Sequence, residues 1–187
     1  MNFKIINCKE TYRGGAFRVQ QVLIEFPDGK QRTYDLVDHN PSITVLPVDE
    51  HGNVYFVCQT RLGCECNLLE LPAGVVEDGE DPAVCAMREI QEEIGLAARA
   101  LTLLGDFYLA PGYLNEHMYV YLATDLYPSK MKQDEDEWIE IVKIPVDDVF
   151  GMTQRGAIKD AKTLATLLLA TPHLSKIQQK GNPKLLE

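Results

Sequence analysis

Residues 74–96 (GVVEDGEDPAVCAMREIQEEIGL) place many carboxylates in one short loop and in the helix predicted to follow it. Glu89, Glu92 and Glu93 lie within five residues, so their charges crowd together near the end of that helix. Like charges one turn apart repel and destabilise a helix. Divalent cations would reverse this effect, because Mg²⁺ binds carboxylate oxygens together with substrate phosphates. The spacing favours a metal site for a phosphate compound over the alternative, an acidic face solvated by water.

The helix that positions these carboxylates has clear start and stop signals. Asp81 suits the N-cap and Pro82 the first helical position, while Gly95 suits the left-handed residue that ends a helix. The three glutamates are predicted to point away from the buried face, and Arg88 is placed to hold the Glu92 carboxylate through a bidentate pair. The apolar residues that recur at the spacing of one buried face are Ala83, Ala86, Met87, Ile90 and Ile94.

The segment follows the pattern G-x5-E-x7-R-E-apolar-x-E-E-x-G-apolar, and every specified position is filled. These positions are Gly74, Glu80, Arg88, Glu89, Ile90, Glu92, Glu93, Gly95 and Leu96. The pattern is the Nudix box, and the chain resembles the Nudix hydrolases, which split a nucleoside diphosphate linked to another moiety X. The resemblance implies an α/β fold, a Nudix α/β/α sandwich with a mixed sheet, in which the box forms the loop and helix beside the active site.

Composition and charge fit a single globular domain with a small appendage. Of the 187 residues, 45% are hydrophobic and 25% are charged, and the net charge of −10 argues against nucleic acid as the main partner. No apolar run approaches the roughly 18 residues of a membrane span, and the N-terminus lacks a secretory core. A cytoplasmic protein without a membrane partner is therefore predicted. The odd set of five cysteines shows no disulfide or zinc pattern, which predicts reduced thiols.

Turn signals and apolar alternation predict mixed strands with a few helices. The strands are predicted at 17–26, 32–37, 42–47, 54–59, 68–71, 101–109, 117–124 and 138–144, and a helix at 158–169. The strands at 42–47 and 54–59 are expected to pair with each other. We predict an N-terminal antiparallel β appendage over residues 1–41 and a Nudix domain over 42–175. The chain after Pro172 is expected to be frayed, with a polar tail over 176–187.

Features outside the box resemble the ADP-ribose pyrophosphatase branch of the family. They are ELPAG at 70–74, APG at 110–112 and IKDAK at 158–162. In that branch an extra N-terminal sheet helps to form a homodimer that completes each substrate site. The resemblance implies hydrolysis of ADP-ribose or a related ADP-sugar to AMP and a sugar phosphate.

Two other functions stay open. A Nudix hydrolase of NADH, a dinucleoside polyphosphate, GDP-mannose or an oxidised nucleotide would carry the same box. A catalytically silent Nudix domain that senses ADP-ribose and regulates a partner is the third, although the intact box counts against it. A substrate panel separates the three.

The resemblance also implies roles for particular residues. The carbonyl of Ala73 and the carboxylates of Glu89 and Glu93 would bind Mg²⁺ or Mn²⁺, with Glu92 sharing the ions and Glu80 assisting more remotely. Glu92 and Arg88 thereby belong to the catalytic set. The catalytic base is expected in the loop at 133–139, where Glu137 matches the position best and Glu135 is the alternative.

Substrate contacts are implied at five further positions. Arg61 matches a phosphate-binding arginine, and Glu116 matches a substrate-contacting glutamate at the dimer interface. Phe17 and Tyr34 lie where aromatic residues sandwich the adenine. His39 departs from the pattern, because the branch often carries an arginine there, and this puts the identity of X in doubt.

Overall fold

The computed structural model describes residues 2–132 and 138–181. The chain forms two compact units, the first made of Met1–Pro41 with Phe107–Met118 and the second of Ser42–Asp106 with Tyr119–Glu187. None of the helices in the described part of the chain has the length and hydrophobicity that a bilayer span requires.

The first unit contains a three-stranded antiparallel sheet in the order β1-β2-β3. The strands are β1 (Lys4–Arg13), β2 (Arg18–Glu25) and β3 (Gln31–Asp38). Gly29 has φ +77° in the turn between β2 and β3, a conformation that glycine adopts at little cost. The predicted N-terminal antiparallel appendage is confirmed.

The second unit contains two sheets, with the strand orders β10-β5-β6 and β7-β4-β9-β8. The strands are β4 (Ser42–Pro47), β5 (Asn53–Arg61), β6 (Cys66–Glu70), β7 (Ala73–Val75), β8 (Leu96–Tyr108), β9 (His117–Pro128) and β10 (Glu140–Pro145). The predicted pairing of β4 with β5 is wrong, since only an isolated bridge joins Val48 to Val54. Every residue of β4 is buried, and both of its edges are already taken, by β7 and β9.

Helices cover opposite faces of these sheets, as predicted. They are α1 (Pro82–Glu93), α2 (Val146–Gln154) and α3 (Ala161–Gly181). Strand β4 shows the two faces, because Ile43 and Val45 join a core packed on α1 whereas Leu46 joins a core packed on α2 and α3. No helix is predicted from the sequence at α2, where only Val146 and Val149 are buried.

Helix α3 continues through Pro172 to Gly181, so the expected fraying after Pro172 is wrong as far as residue 181. Proline removes one helix hydrogen bond and normally breaks a helix interior. Here Ala170 and Leu174 are both fully buried on either side of it, and the Thr171 hydroxyl donates to the carbonyl of Leu167. Apolar burial therefore carries the helix past the proline.

The turn between β4 and β5 depends on one carboxylate and gives a pH prediction. Asp49 accepts hydrogen bonds from the backbone N–H groups of His51 and Asn53 and from Lys143 Nζ at 2.6 Å. Burial alone would raise the pKa of Asp49, but these donors outweigh it and lower the pKa from 3.8 to about 2. The stabilisation is therefore complete above pH 3.8 and is lost as the pH falls towards 2.

We expect Asp49→Asn to lower the free energy of unfolding by roughly 1–2 kcal/mol at pH 6. The deficit should shrink steadily as urea unfolding is repeated from pH 4 downwards, because the wild-type carboxylate is then being protonated. Glu50→Gln is the matched control, since its side chain is largely exposed. A deficit of equal size at every pH would contradict the assignment.

Candidate active site

Helix α1 begins and ends where the sequence predicts. The Asp81 carboxylate accepts from the backbone N–H of Ala83 at 2.8 Å, Pro82 is the first helical residue, and Gly95 has φ +68° just beyond the end. Ala86, Ile90 and Ile94 are buried in the core on this side of the sheet, and Ala83 and Met87 pack against it. The helix is thus fixed in rotation, which sets the direction of its glutamates.

Glu93 is buried, with 4% of its surface exposed, and its Oε2 accepts a hydrogen bond from the backbone N–H of Ala73 at 3.2 Å. The prediction that all three glutamates point away from the buried face is therefore wrong for Glu93. The reason is tertiary, because β7 packs against α1 and covers this side of the last turn. A carboxylate held so close to β7 has little freedom to move.

Gly74 lets a second carboxylate approach the same strand. A Cβ placed on Gly74 would lie 1.9 Å from Glu89 Oε1 and 2.0 Å from its Cδ, so no other residue leaves room for Glu89 in this position. Glu93 reaches Ala73 and Glu89 reaches Gly74, so two carboxylates four residues apart on α1 meet consecutive residues of β7. The first glycine of the box is required for this close approach.

Arg88 connects the loop of the box to its helix. Its Nε and Nη2 donate to the two oxygens of Glu80 at 3.0 and 3.1 Å. Its Nη1 donates to Glu89 at 2.7 Å and to Glu92 at 3.1 Å. The bidentate partner is thus Glu80, not Glu92 as predicted, because the loop folds back over the helix and presents both Glu80 oxygens.

The pairing between Arg88 and Glu80 also shifts the pKa values of both groups. The hydrogen bond from Arg88 lowers the pKa of Glu80, and the hydrogen bond to Glu80 raises the pKa of Arg88. Both groups therefore stay charged at neutral pH. A single guanidinium holds three carboxylates but cannot neutralise them together with Glu93, so the cluster retains an excess of negative charge.

The donors of this cluster suit a hard divalent cation. They are all oxygen atoms, which Mg²⁺ and Mn²⁺ prefer. Because Gly74 has no side chain, the Glu89 carboxylate can lie directly against β7. Among residues 2–132 and 138–181, no three His, Cys, Asp or Glu side chains converge into a preformed metal site. The carboxylates instead accept hydrogen bonds from Arg88 and from the Ala73 N–H. The residues fit the ion by charge and donor type.

Arg61, the predicted phosphate-binding residue, lies at the end of β5 and forms a bidentate salt bridge with Glu70 on β6. Its Nε and Nη2 donate to the two Glu70 oxygens at 2.8 and 2.7 Å. The Glu70 side chain is 1% exposed, whereas that of Arg61 is 43% exposed. Lys162 from α3 also binds Glu70. Arg61 is therefore held in place by Glu70 while part of its side chain stays exposed to solvent.

Glu70 and Lys162 were given no role from the sequence, although both lie in the segments that carry the family resemblance. Burial alone would raise the pKa of Glu70, but the hydrogen bonds from Arg61 and the charge of Lys162 outweigh it and lower the pKa. Lys162 is in turn 3.0 Å from Asp160. The available signal was a glutamate inside the apolar run NLLELPAG, since a buried carboxylate needs charged partners.

Replacing Lys162 by methionine leaves the buried Glu70 carboxylate with Arg61 as its one remaining cation among the contacts described above. We expect the variant to lose roughly 1–3 kcal/mol of unfolding free energy, the cost of removing a charged partner from a buried group. Lys159→Met is the matched control because Lys159 is exposed on the same segment. Urea unfolding at pH 7 measures both. Equal stability of the two variants would show that Lys162 does not sustain Glu70.

The two aromatic residues predicted to hold adenine do not meet within one chain. Tyr34 lies opposite Val22 in the β2–β3 ladder. Phe17 precedes β2, and the centroid of its ring is 6.1 Å from the centroid of the Tyr12 ring. Five residues along an antiparallel strand separate Val22 from Phe17, or about 17 Å. This exceeds the spacing at which two rings stack on one base.

His39 and Glu116 do lie together, within the first unit. The His39 ring nitrogen Nδ1 is 4.0 Å from Glu116 Oε1 and 2.6 Å from the carbonyl oxygen of Asn40. The backbone N–H of His39 donates to Asn115 Oδ1 at 2.8 Å, and Asn115 donates to Asp38. The structure thus brings two of the predicted substrate residues into one polar cluster. Glu137 and Glu135 fall outside the described residues.

Comparison with known proteins agrees with this geometry. The NUDIX domain model matches residues 38–167. The chain belongs to the Nudix family. It is 33% identical over 162 residues to the ADP-ribose pyrophosphatase of Bacillus subtilis (strain 168), covering 86% of this chain and 88% of the relative. It is also 30% identical over 165 residues to the methanol dehydrogenase activator of Bacillus methanolicus, with the same two coverages.

Among solved structures, the crystal structure of an ADP compounds hydrolase matches this Nudix chain with a TM-score of 0.83 and 26% identity. The match covers 94% of this chain and 96% of that one. The predictions of the Nudix fold and of a Nudix hydrolase of the ADP-ribose pyrophosphatase branch are confirmed. Nudix hydrolases generally depend on divalent metal ions.

Proposed function

We propose that this Nudix protein hydrolyses the pyrophosphate bond of ADP-ribose or a related ADP-sugar. The observation that carries the proposal is the convergence of Glu89 and Glu93 on Ala73 and Gly74, with Arg88 donating a hydrogen bond to Glu89. The mutual repulsion of carboxylates gathered against this strand is unfavourable for the fold, and a divalent cation bound to their oxygens would relieve it. The names of the relatives support an ADP-linked substrate.

The residues of the site would have separate roles in metal binding and in positioning. Glu89, Glu92, Glu93 and the Ala73 carbonyl would hold Mg²⁺ or Mn²⁺. When bound, such ions neutralise phosphate oxygens and lower the pKa of water. Arg88 bridges Glu89 and Glu92 through a single nitrogen, Nη1, and so orients both carboxylates.

Water is the attacking nucleophile in this proposal. Glu137, or Glu135 in its place, removes a proton from the water as it attacks phosphorus. The bridging P–O bond of the anhydride then breaks, and the two products are AMP and ribose 5-phosphate. The exposed part of Arg61 faces a phosphate oxygen, where a fixed positive charge stabilises the transition state.

The remaining roles concern the nucleotide end and the assembly. We place His39 and Glu116 beside the substrate, since they form one polar cluster. Phe17 and Tyr34 can share an adenine only if they come from two copies of the chain, because about 17 Å separates them along one sheet. An adenine shared by these two rings would therefore require a homodimer built on the N-terminal sheet. A cytoplasmic location, without nucleic acid or membrane as partner, completes the proposal.

A substrate panel tests the proposal. Purified protein is incubated with ADP-ribose, NADH, a dinucleoside polyphosphate, GDP-mannose and an oxidised nucleotide, each with Mg²⁺ or Mn²⁺, and the products are separated by chromatography. Equimolar AMP and ribose 5-phosphate from ADP-ribose, at a higher kcat/KM than for the other compounds, is the expected result. Faster turnover of another compound would reject the ADP-ribose assignment while keeping the Nudix reaction.

One observation favours a second candidate function. A relative that is aligned over most of its length is named as an activator of another enzyme, so a Nudix chain that regulates a partner is a real alternative. Binding of ADP-ribose in calorimetry, without release of AMP at any metal concentration, would select this sensor function over hydrolysis.

A further inference from the structure

The β5–β6 hairpin carries two cysteines at its turn. After β5 the chain forms a short 3-10 helix at Leu62–Cys64, and β6 begins at Cys66. Glu65, between the two cysteines, has φ +51° and ψ +34°. This left-handed conformation is uncommon for a residue other than glycine, and it curls the backbone so that the flanking side chains turn towards each other.

The two thiols are in direct contact. Cys66 donates to Cys64 with 3.0 Å between the two Sγ atoms. Non-bonded carbon atoms rest at roughly 3.5–4.0 Å, and sulfur is larger than carbon, so this approach is unusually close. A disulfide bond measures roughly 2.05 Å, which means that only about 1 Å of sulfur movement separates the thiols from a bond.

The other cysteines lack these properties. Cys8 is exposed on β1, Cys58 is half-buried and Cys85 is buried. Burial raises the pKa of Cys85 to about 12, so its thiol is unreactive at neutral pH. Cys64 and Cys66 are both exposed, so a small thiol reagent has access to either sulfur. The hairpin turn therefore combines proximity with accessibility.

We propose that Cys64 and Cys66 form a reversible disulfide, which makes this turn a thiol–disulfide exchange site for low-molecular-weight disulfides such as oxidised glutathione. The site does not require the hydrolase activity proposed above. It adjoins Arg61, because Cys66 pairs with Arg61 in the hairpin and Cys64 Sγ lies 3.5 Å from the Arg61 carbonyl.

The exchange is balanced in atoms and electrons. Cys64, which accepts the hydrogen bond from Cys66, loses its proton and attacks one sulfur of the reagent, whose S–S bond breaks to release one thiolate. Cys66 then loses its proton and attacks the Cys64 sulfur of the mixed disulfide, which forms the Cys64–Cys66 bond and expels the second thiolate. The cysteines lose two electrons together, and the reagent leaves as two thiols that carry the two protons.

Such a disulfide should be easily reduced. A bond that closes so short a loop removes little entropy from the unfolded chain, and strained or exposed disulfides have more oxidising potentials than structural ones. The reduced form is then recovered by ordinary thiols. The turn is thus suited to exchange rather than to permanent cross-linking.

Peptide mapping tests the proposal directly. The full-length protein is equilibrated with oxidised and reduced glutathione, alkylated, and cleaved after Arg61 and before Asp78, which isolates residues 62–77 with Cys64 and Cys66 as the sole cysteines. We expect this peptide to lose two hydrogen atoms and to resist alkylation, and dithiothreitol to restore both thiols.

Single variants provide the controls. Cys64→Ser and Cys66→Ser should each abolish the closed peptide, and the remaining cysteine should carry a stable glutathione adduct, whereas Cys8→Ser should leave the closed peptide unchanged. Wild-type protein that stays fully alkylated at both residues, or that accumulates a glutathione adduct on either one, would overturn the proposal. Circular dichroism confirms that each exposed substitution leaves the fold intact.

Discussion

Glu93→Gln is expected to reduce kcat for ADP-ribose by at least about a hundredfold while the protein remains folded. A loss of this size is typical when one preorganised electrostatic group is removed from an active site. Glutamine can still accept the hydrogen bond from the Ala73 N–H, so the packing of α1 against β7 is preserved. The variant lacks the charge that would bind the metal ion, and steady-state assays at saturating Mg²⁺ measure the effect.

The stability of this variant separates a catalytic role from a structural one. Removing a negative charge beside Glu89 and Glu92 relieves repulsion, so the melting temperature should hold or rise as the activity falls. Glu77→Gln, in the exposed part of the loop, is the matched control and should keep wild-type kcat. Near-normal turnover by folded Glu93→Gln would refute the role of this carboxylate.

Gly74→Ala is expected to have the second large effect, a decrease in kcat of about tenfold to a hundredfold. The new Cβ would lie 1.9 Å from Glu89 Oε1, so the Glu89 side chain must rotate away and leave its hydrogen bond with Arg88. A misplaced group of this kind can cost about a hundredfold in rate. Because the obstacle is the flexible end of a side chain, the stability cost should be only about 1–2 kcal/mol.

Gly63→Ala is the control for this change. Its Cβ would enter open space, so activity and melting temperature should match those of the wild type. The informative combination for Gly74→Ala is a large loss of activity with a small loss of stability. If Gly74→Ala binds metal and turns over substrate like the control, Glu89 does not need its place against β7.

The local features of the box could be predicted from the sequence because they depend on near neighbours. The Asp81 cap, the start at Pro82 and the left-handed Gly95 follow from the chemistry of single residues. The burial of Glu93 could not be predicted in this way, since it arises from β7 covering the helix. The bidentate partner of Arg88 was missed for the same reason, because Glu80 reaches it through a folded loop.

Long-range pairing was the harder part of the fold. The turn at 49–53 suggested a hairpin, yet β4 and β5 belong to different sheets. The alternation of apolar and polar residues predicts a strand but does not determine which strand it pairs with. Lys162 is 92 residues from Glu70, and their contact exists only in the folded chain. Cys64 and Cys66 matched no known spacing, and their proximity depends on the left-handed backbone of Glu65.

The central claim is that the carboxylates of α1 gather divalent ions against β7 to act on a diphosphate. Crystals grown with Mn²⁺ and a non-hydrolysable analogue of ADP-ribose test it most directly, through anomalous scattering from the ion. We expect anomalous peaks within bonding distance of Glu89, Glu93 and the analogue's phosphate oxygens. An analogue bound with its diphosphate elsewhere, and no anomalous peak beside these glutamates, would contradict the claim.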